Sequence, residues 1–304
     1  MYKHFEDIAA SVKKLPRQRT MAIAGAADQA VIESALHAFD DGLATPIFVG
    51  DETKIRSILA SLGCNLEAWE IVHAERGKEG QLAVDQVKTG KADFLMKGMI
   101  ETREILGPVV KKENDLRTGA VMSHVVFFDR IPHRDRFIVQ TDGGMIMYPT
   151  LSDKKAILEN AVAALRAIGF ECPRMAVLAP IETVNPKMIE TVEANALKEM
   201  FLRGEIEDCF VEGPISYDIA MSEEFAKHKK FDCPYCGDFD ALIMPNMAAG
   251  NILGKCWTAT CDSLMGGIIM GAKVPIILDS RSSSSEEKYY AIAIAALIAA
   301  GSGS

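Results

Sequence analysis

The sequence predicts a two-domain α/β protein whose mostly parallel sheets are flanked by helices. Short apolar runs alternate with helical patterns along the chain. Those runs are apolar throughout rather than every second residue, which suits parallel strands covered on both faces. At 304 residues the chain is long enough for about two domains. Apolar residues make up 49% and charged residues 25%, the balance of a globular chain, which excludes disorder and collagen-like order.

The elements follow in order. MAIAG (Met21–Gly25) reads as a strand, with a helix near 28–39 after it. PIFVG (Pro46–Gly50) precedes a helix near 52–62, WEIVHA (Trp69–Ala74) a helix near 80–88, and DFLMKG (Asp93–Gly98) a helix near 102–113. Serial βα units of this kind predict a doubly wound sheet. After residue 117 the pattern changes. VMSHVVFFD and RFIVQTD, joined by a short polar segment, predict an antiparallel hairpin. Ser152 is the expected N-cap of a helix over 153–168. RMAVLAP is a strand, and Asn185-Pro186 is the expected cap and first residue of a helix reaching about 202. DALIMPN (Asp240–Asn246) is a further strand, and VPIILD (Val274–Asp279) a last one before a helix over 286–300. The expected organisation is a discontinuous first domain, 1–118 plus 268–304, and a second domain, 119–267. An interdomain cleft is the expected ligand site.

Several function classes are disfavoured. Lys and Arg number 33 against 42 Asp and Glu, and 33 − 42 = −9, a poor balance for generic nucleic-acid binding. No apolar run reaches the roughly 20 residues of a membrane span. The N-terminal residues lack the apolar core of a signal peptide. Seven scattered cysteines, an odd number, fit a reducing cytoplasm better than a disulfide scaffold. AIAGAAD lacks the GxGxxG dinucleotide fingerprint. The six histidines show no metal-ligand spacing, so no metal is expected. Cys233-Pro-Tyr-Cys236 is a C-x-x-C pair, but it precedes a strand instead of opening a helix, so a redox role is not favoured. The basic runs 130–136 and 227–230 read as solvated loops, or as places for the phosphates of a nucleotide.

Three strand-to-helix loops carry candidate chemistry. In DSRSSSSEE (Asp279–Glu287), Ser280 offers a hydroxyl, Arg281 a clamp for phosphate, and Glu287 a carboxylate. Ser284-x-x-Glu287 also fits a capping box, which would make Glu287 structural. In MPNMAAGN (Met244–Asn251), Asn246 and Asn251 are hydrogen-bonding candidates, Gly250 permits close backbone approach, and Lys255 lies one turn further on. In MKGMIETRE (Met96–Glu104), Lys97 and Arg103 are phosphate candidates beside Gly98, and Thr102 is either a ligand or the N-cap. Ser123 and His124, in MSHVV, are cleft-lining candidates; packing is the plainer role for a lone strand histidine.

VPIILDSRSSSSEEK, MPNMAAGNILGK, LMKGMIETREIL and LRTGAVMSHVVFF together resemble the phosphate acetyl/butyryltransferase family, the last two more its butyryl branch. The resemblance runs over nearly the whole chain. It implies reversible acyl transfer between coenzyme A and inorganic phosphate, with acyl-CoA, phosphate and acyl phosphate as small-molecule partners. Coenzyme A would be a substrate, with no cofactor bound permanently and no metal. It also implies a homo-oligomer and the fold shared with isocitrate and isopropylmalate dehydrogenases. The family's serine–arginine pair falls on Ser280 and Arg281. Its downstream aspartate falls on Glu287, a longer carboxylate, with Glu286 beside it. Two further arginines of the acetyltransferases fall on Ala259 and near Gly107-Pro108, which implies that phosphate is held differently here. The alternatives are a phosphate acetyltransferase, an NAD- and metal-dependent decarboxylating dehydrogenase, and a non-catalytic CoA-binding protein.

Overall fold

The computed structural model describes residues 2–278 and 283–301. The chain divides into two compact units, Tyr2–Ala120 with everything from Met265 onward, and Val121–Leu264. The first unit begins with helix α1 (Phe5–Val12) and strand β1 (Arg19–Ala24). It continues through α2 (Gln29–Asp40), β2 (Ala44–Gly50), α3 (Glu52–Ser61), β3 (Glu70–His73), α4 (Glu79–Lys88), β4 (Phe94–Lys97) and α5 (Thr102–Val110). These strands are parallel, and the order is β3-β2-β1-β4, so the chain winds one way to β3 and then crosses to the far side of β1. Apolar runs make the strands because both faces are covered; Met21, Ala22, Ile23 and Ala24 are fully buried. Asp28 and Asp51 cap α2 and α3, each carboxylate accepting an amide hydrogen bond of 3.1 Å from Val31 and Lys54. Helix α4 lies hard against α5: a Cβ on Gly80 would overlap the Glu104 carbonyl oxygen and come within 2.8 Å of its carbon.

The second unit opens with β5 (Ser123–Asp129) and β6 (Ile138–Thr141), an antiparallel hairpin with Phe128 opposite Ile138. It then runs α6 (Leu151–Ala167), β7 (Arg174–Leu178), α7 (Ile189–Leu202), β8 (Phe210–Ile215), α8 (Tyr217–Met221), α9 (Glu223–Lys229), β9 (Ala241–Ile243) and α10 (Met247–Thr260). The sheet order is β5-β6-β9-β7-β8, parallel from β6 onward. Two expected caps are corrected. Thr150, not Ser152, caps α6, taking the Asp153 amide at 3.2 Å while the Asp153 carboxylate takes the Thr150 amide at 2.9 Å. Met188 occupies the cap position of α7. Asn185 instead closes its own turn, accepting from the Lys187 amide at 3.0 Å and donating its amide to Thr191 Oγ1 at 2.9 Å.

The basic run 130–136 is also more than a solvated loop. Arg136 and Arg174 converge on Asp240, whose buried carboxylate accepts from Arg136 Nη1, from the Arg174 amide at 2.7 Å and from Arg174 Nε at 3.2 Å. Arg134 donates to the carbonyls of Gly237 and Phe239, and burial pulls its guanidinium down to about 10. These arginines fasten the hairpin to the segment leading into β9, because charges out of reach of water need fixed partners.

Strands β10 (Leu264–Met270) and β11 (Ile276–Ile277) return the chain to the first sheet. β11 extends it in parallel beside β4, and β10 pairs antiparallel with β11. Helix α11 (Ser285–Gly301) closes that unit, with every residue from Lys288 to Ile298 buried.

Candidate active site

The loop-bearing ends of the parallel strands carry the candidate residues in both units. In the second unit, β6 ends at Thr141 and the chain turns through Asp142-Gly143-Gly144. The Asp142 carboxylate accepts from the amides of Gly144, Met145 and Ile146 at 2.7, 2.9 and 2.9 Å. The first turn of α10 docks onto this loop. Asn246 caps the helix, taking the Ala249 amide at 3.0 Å, and Asn251 Nδ2 donates to the Gly143 carbonyl at 3.1 Å. Only glycine fits at 250, where a Cβ would overlap Gln140 Nε2 and lie 2.6 Å from the Asp142 carbonyl oxygen. Lys255 is exposed further along α10. Ser123, fully buried at the start of β5, accepts from Asn160 Nδ2 at 2.9 Å.

His124 follows Ser123. A Cβ on Gly144 would lie 2.6 Å from its Nδ1, so the double glycine gives the ring its room. Its Nε2, like Gln140 Nε2 and Thr141 Oγ1, is sealed from solvent and has no hydrogen-bond partner among the described residues. Sequence reasoning missed Gln140, Thr141 and Asp142; the available signal was Asp-Gly-Gly at a strand end. Burial pulls His124 below its usual 6.5 although the Asp142 carboxylate pushes the other way. The unfolded chain therefore takes up a proton that the folded chain resists. This share of stability is present above pH 6.5 and is lost as the pH falls from there towards the folded value. The variant His124→Gln is expected to flatten the acid arm of the denaturation midpoint plotted against pH; an equally steep arm in the variant contradicts this.

In the first unit, the end of β4 is zipped to the end of β1. The amides of Gly98 and Met99 donate to the carbonyls of Ala24 and Gly25, both at 2.8 Å, and a Cβ on Gly98 would overlap the Gly25 oxygen. Lys97 Nζ turns back to the carbonyls of Gly98 and Ile100 at 3.2 and 3.4 Å. Thr102 is the first residue of α5 and not its cap, a place taken by Glu101, whose amide donates to the Glu104 carboxylate at 2.7 Å. Arg103 is exposed and pairs with Glu101 at 2.7 Å. Ser280 and Arg281 lie outside the described residues. Glu287 and Ser284 form the reciprocal box, the Ser284 amide donating to the Glu287 carboxylate at 2.8 Å and the Glu287 amide to Ser284 Oγ at 3.1 Å.

The family described as "Phosphate acetyl/butaryl transferase" matches residues 73–296. The chain belongs to the phosphate acetyl/butyryl transferase family. It is an enzyme of that family, a phosphate acyltransferase. It is 41% identical to a phosphate butyryltransferase of Clostridium acetobutylicum over 300 residues, covering 98% of this chain and 99% of the relative. Against a phosphate acetyltransferase of Thermotoga maritima the identity is 37%, over 92% of this chain and 95% of the relative. Among solved structures, a branched-chain phosphotransacylase from Enterococcus faecalis superposes with a TM-score of 0.81 at 31% identity, covering 93% of this chain and 99% of that one. Membership in this acyltransferase family displaces the dehydrogenase and the non-catalytic readings. Cys236 is buried, and burial pushes its thiol up to about 12; Cys233 is raised by the same cause, so neither has thiolate character at neutral pH. Among the described residues no group of three or more His, Cys, Asp or Glu is placed to hold a metal, and no helix is long and apolar enough to cross a membrane.

Proposed function

We propose that this acyltransferase moves a short-chain acyl group reversibly between coenzyme A and inorganic phosphate, with butyryl-CoA as the preferred donor and acetyl-CoA a poorer one. The near-full-length identity of 41% to a relative named phosphate butyryltransferase carries this reading. A phosphate oxygen attacks the thioester carbonyl carbon, the C–O bond forms, the C–S bond breaks, and CoA leaves as a thiolate that takes up a proton. In reverse, the thiolate attacks the acyl phosphate and phosphate departs. Transfer is direct, within a ternary complex.

In this proposal Arg281 neutralises the phosphate, and Ser280 donates a hydrogen bond to the tetrahedral oxyanion. Glu287 handles the thiol proton, with its box partner Ser284 fixing its position. A carboxylate is a weaker base than a thiolate, so proton loss from the thiol is concerted with attack. Lys97, Gly98, Thr102, Arg103, Ser123, His124, Asn246, Gly250, Asn251 and Lys255 are the proposed substrate-binding residues. We further propose an isocitrate dehydrogenase-like fold with domains of 1–118 plus 268–304 and 119–267, a homo-oligomer, a cytoplasmic location and no permanently bound cofactor.

The test is thiol release from acetyl-, butyryl- and longer acyl-CoA, with and without phosphate. Phosphate-dependent release, fastest with butyryl-CoA, is the expected result; intact thioesters with every donor would reject the proposal. Exchange of labelled phosphate into butyryl phosphate should be absent without CoA. Rapid exchange there would mean an acyl-enzyme and overturn direct transfer.

A further inference from the structure

A cavity of about 560 Å³ opens in the first unit over the carboxyl ends of β1, β2 and β3 and the residues just past β4. None of the residues assigned to acyl transfer lines it. It reaches from the end of β3 across β2 and β1 to the point where the strand order reverses, between β1 and β4, the place in an open parallel sheet where loops diverge and leave a crevice. Its size is within the range of small-ligand sites.

The lining offers both donors and acceptors. Arg76 has no ion pair or hydrogen bond among the described residues and faces the cavity from the end of β3. Beside it, His73 accepts the Glu52 amide on Nδ1 at 3.4 Å, which leaves the proton of a neutral ring on Nε2 as a donor. The Ala27 amide, just past β1, has no acceptor among the described residues. A Cβ on Gly50 would sit 3.7 Å from that nitrogen, so glycine there leaves the amide uncovered. Asp51 uses one carboxylate oxygen to cap α3, while the other lies 3.5 Å from Lys54 Nζ. Met99 and Ile100 supply an apolar wall, Met99 half exposed at 49%.

An unpaired guanidinium, an open amide and a lysine suit a phosphate chain. An apolar wall suits a base, and a carboxylate at the end of β2 suits ribose hydroxyls. We infer that this cavity is a binding site for a nucleoside 5′-diphosphate with an unphosphorylated ribose. Asp51 takes the 2′- and 3′-hydroxyls and Arg76 the phosphates. A 3′-phosphate on that ribose, as in coenzyme A, would fall beside the Asp51 carboxylate and is repelled.

Titration calorimetry on the intact protein tests this with ADP, adenosine 3′,5′-bisphosphate and coenzyme A. Saturable ADP binding at one site per chain is expected, weakened at least about tenfold by Arg76→Ala. Asp51→Asn, which keeps a capping side chain, should weaken ADP similarly and narrow its margin over the bisphosphate. No ADP binding at millimolar concentration overturns the inference, as does unchanged ADP affinity in Arg76→Ala. Arg76-dependent binding of the bisphosphate or coenzyme A as tight as that of ADP overturns the ribose selectivity and gives the cavity to the nucleotide end of the substrate. Thiol release measured on the same preparations keeps this outcome separate from that of the acyl-transfer proposal.

Discussion

Replacing Arg281 by alanine is expected to lower kcat/KM for acyl transfer at least 100-fold, about 2.7 kcal/mol of transition-state stabilisation. The effect is electrostatic. A dianionic phosphate approaches a carbonyl on which negative charge develops, so the two charges repel as the bond forms. A guanidinium with five fixed donors offsets that repulsion in both directions of the reaction. Arg281→Lys keeps the charge and loses the fork, and should recover part of the rate. Ser280→Ala should cost roughly tenfold to 100-fold, because one neutral donor is lost and backbone amides remain. Initial rates of butyryl-CoA consumption measure all three. Near-parental turnover in both alanine variants would remove Ser280 and Arg281 from the chemistry.

Gly80→Ala is expected to destabilise the first unit by about 3 kcal/mol, at the upper end of the usual cost of overpacking. Alanine ordinarily favours a helix over glycine by up to about 1 kcal/mol, so the effect has the opposite sign to propensity. It follows from the Glu104 carbonyl, a backbone group that a new methyl would overlap in the first turn of α5. Helix α4 must then lift away from α5 and from the strands it covers. Calorimetry should record a fall of roughly 10 °C in the transition of that unit. An unchanged or raised transition would mean that the two helices separate without cost.

The strands most readily read in the sequence were those whose burial leaves no ambiguity. β2 and β4 are apolar along nearly their whole length because helices cover both faces, and the resulting run has few other interpretations. β10 was not anticipated. Its LMGGIIM pattern carries two glycines that argue locally against a strand. Gly266 is small because α11 crosses it, and a Cβ there would lie 2.7 Å from Ile294 Cδ1. That constraint comes from residues nearly 30 positions away and leaves no local trace. The α6 cap was misplaced although Thr-x-x-Asp was present, because Ser152 lies inside the same four residues.

The candidate loops were legible as glycine- and serine-bearing turns after apolar strands. The His124–Asp142 arrangement was not, since it joins the two strands of the hairpin and the loop beyond it. The roles of the basic run 130–136 likewise depend on Asp240, more than 100 positions later, and charge runs in a sequence do not name their partners.

Helix α11 has consequences for biosynthesis. Its apolar residues pack against α1, α2 and the central strands laid down by the first third of the chain. During vectorial translation those early elements emerge with their inner surface uncovered, and it stays so until the last stretch clears the ribosomal tunnel. The intervening Val121–Leu264 unit has all its strands before then and can reach its native state first. Ribosome-stalled nascent chains ending near residue 300, with α11 still inside the tunnel, should therefore protect the middle of the polypeptide from protease while the N-terminal portion is still digested.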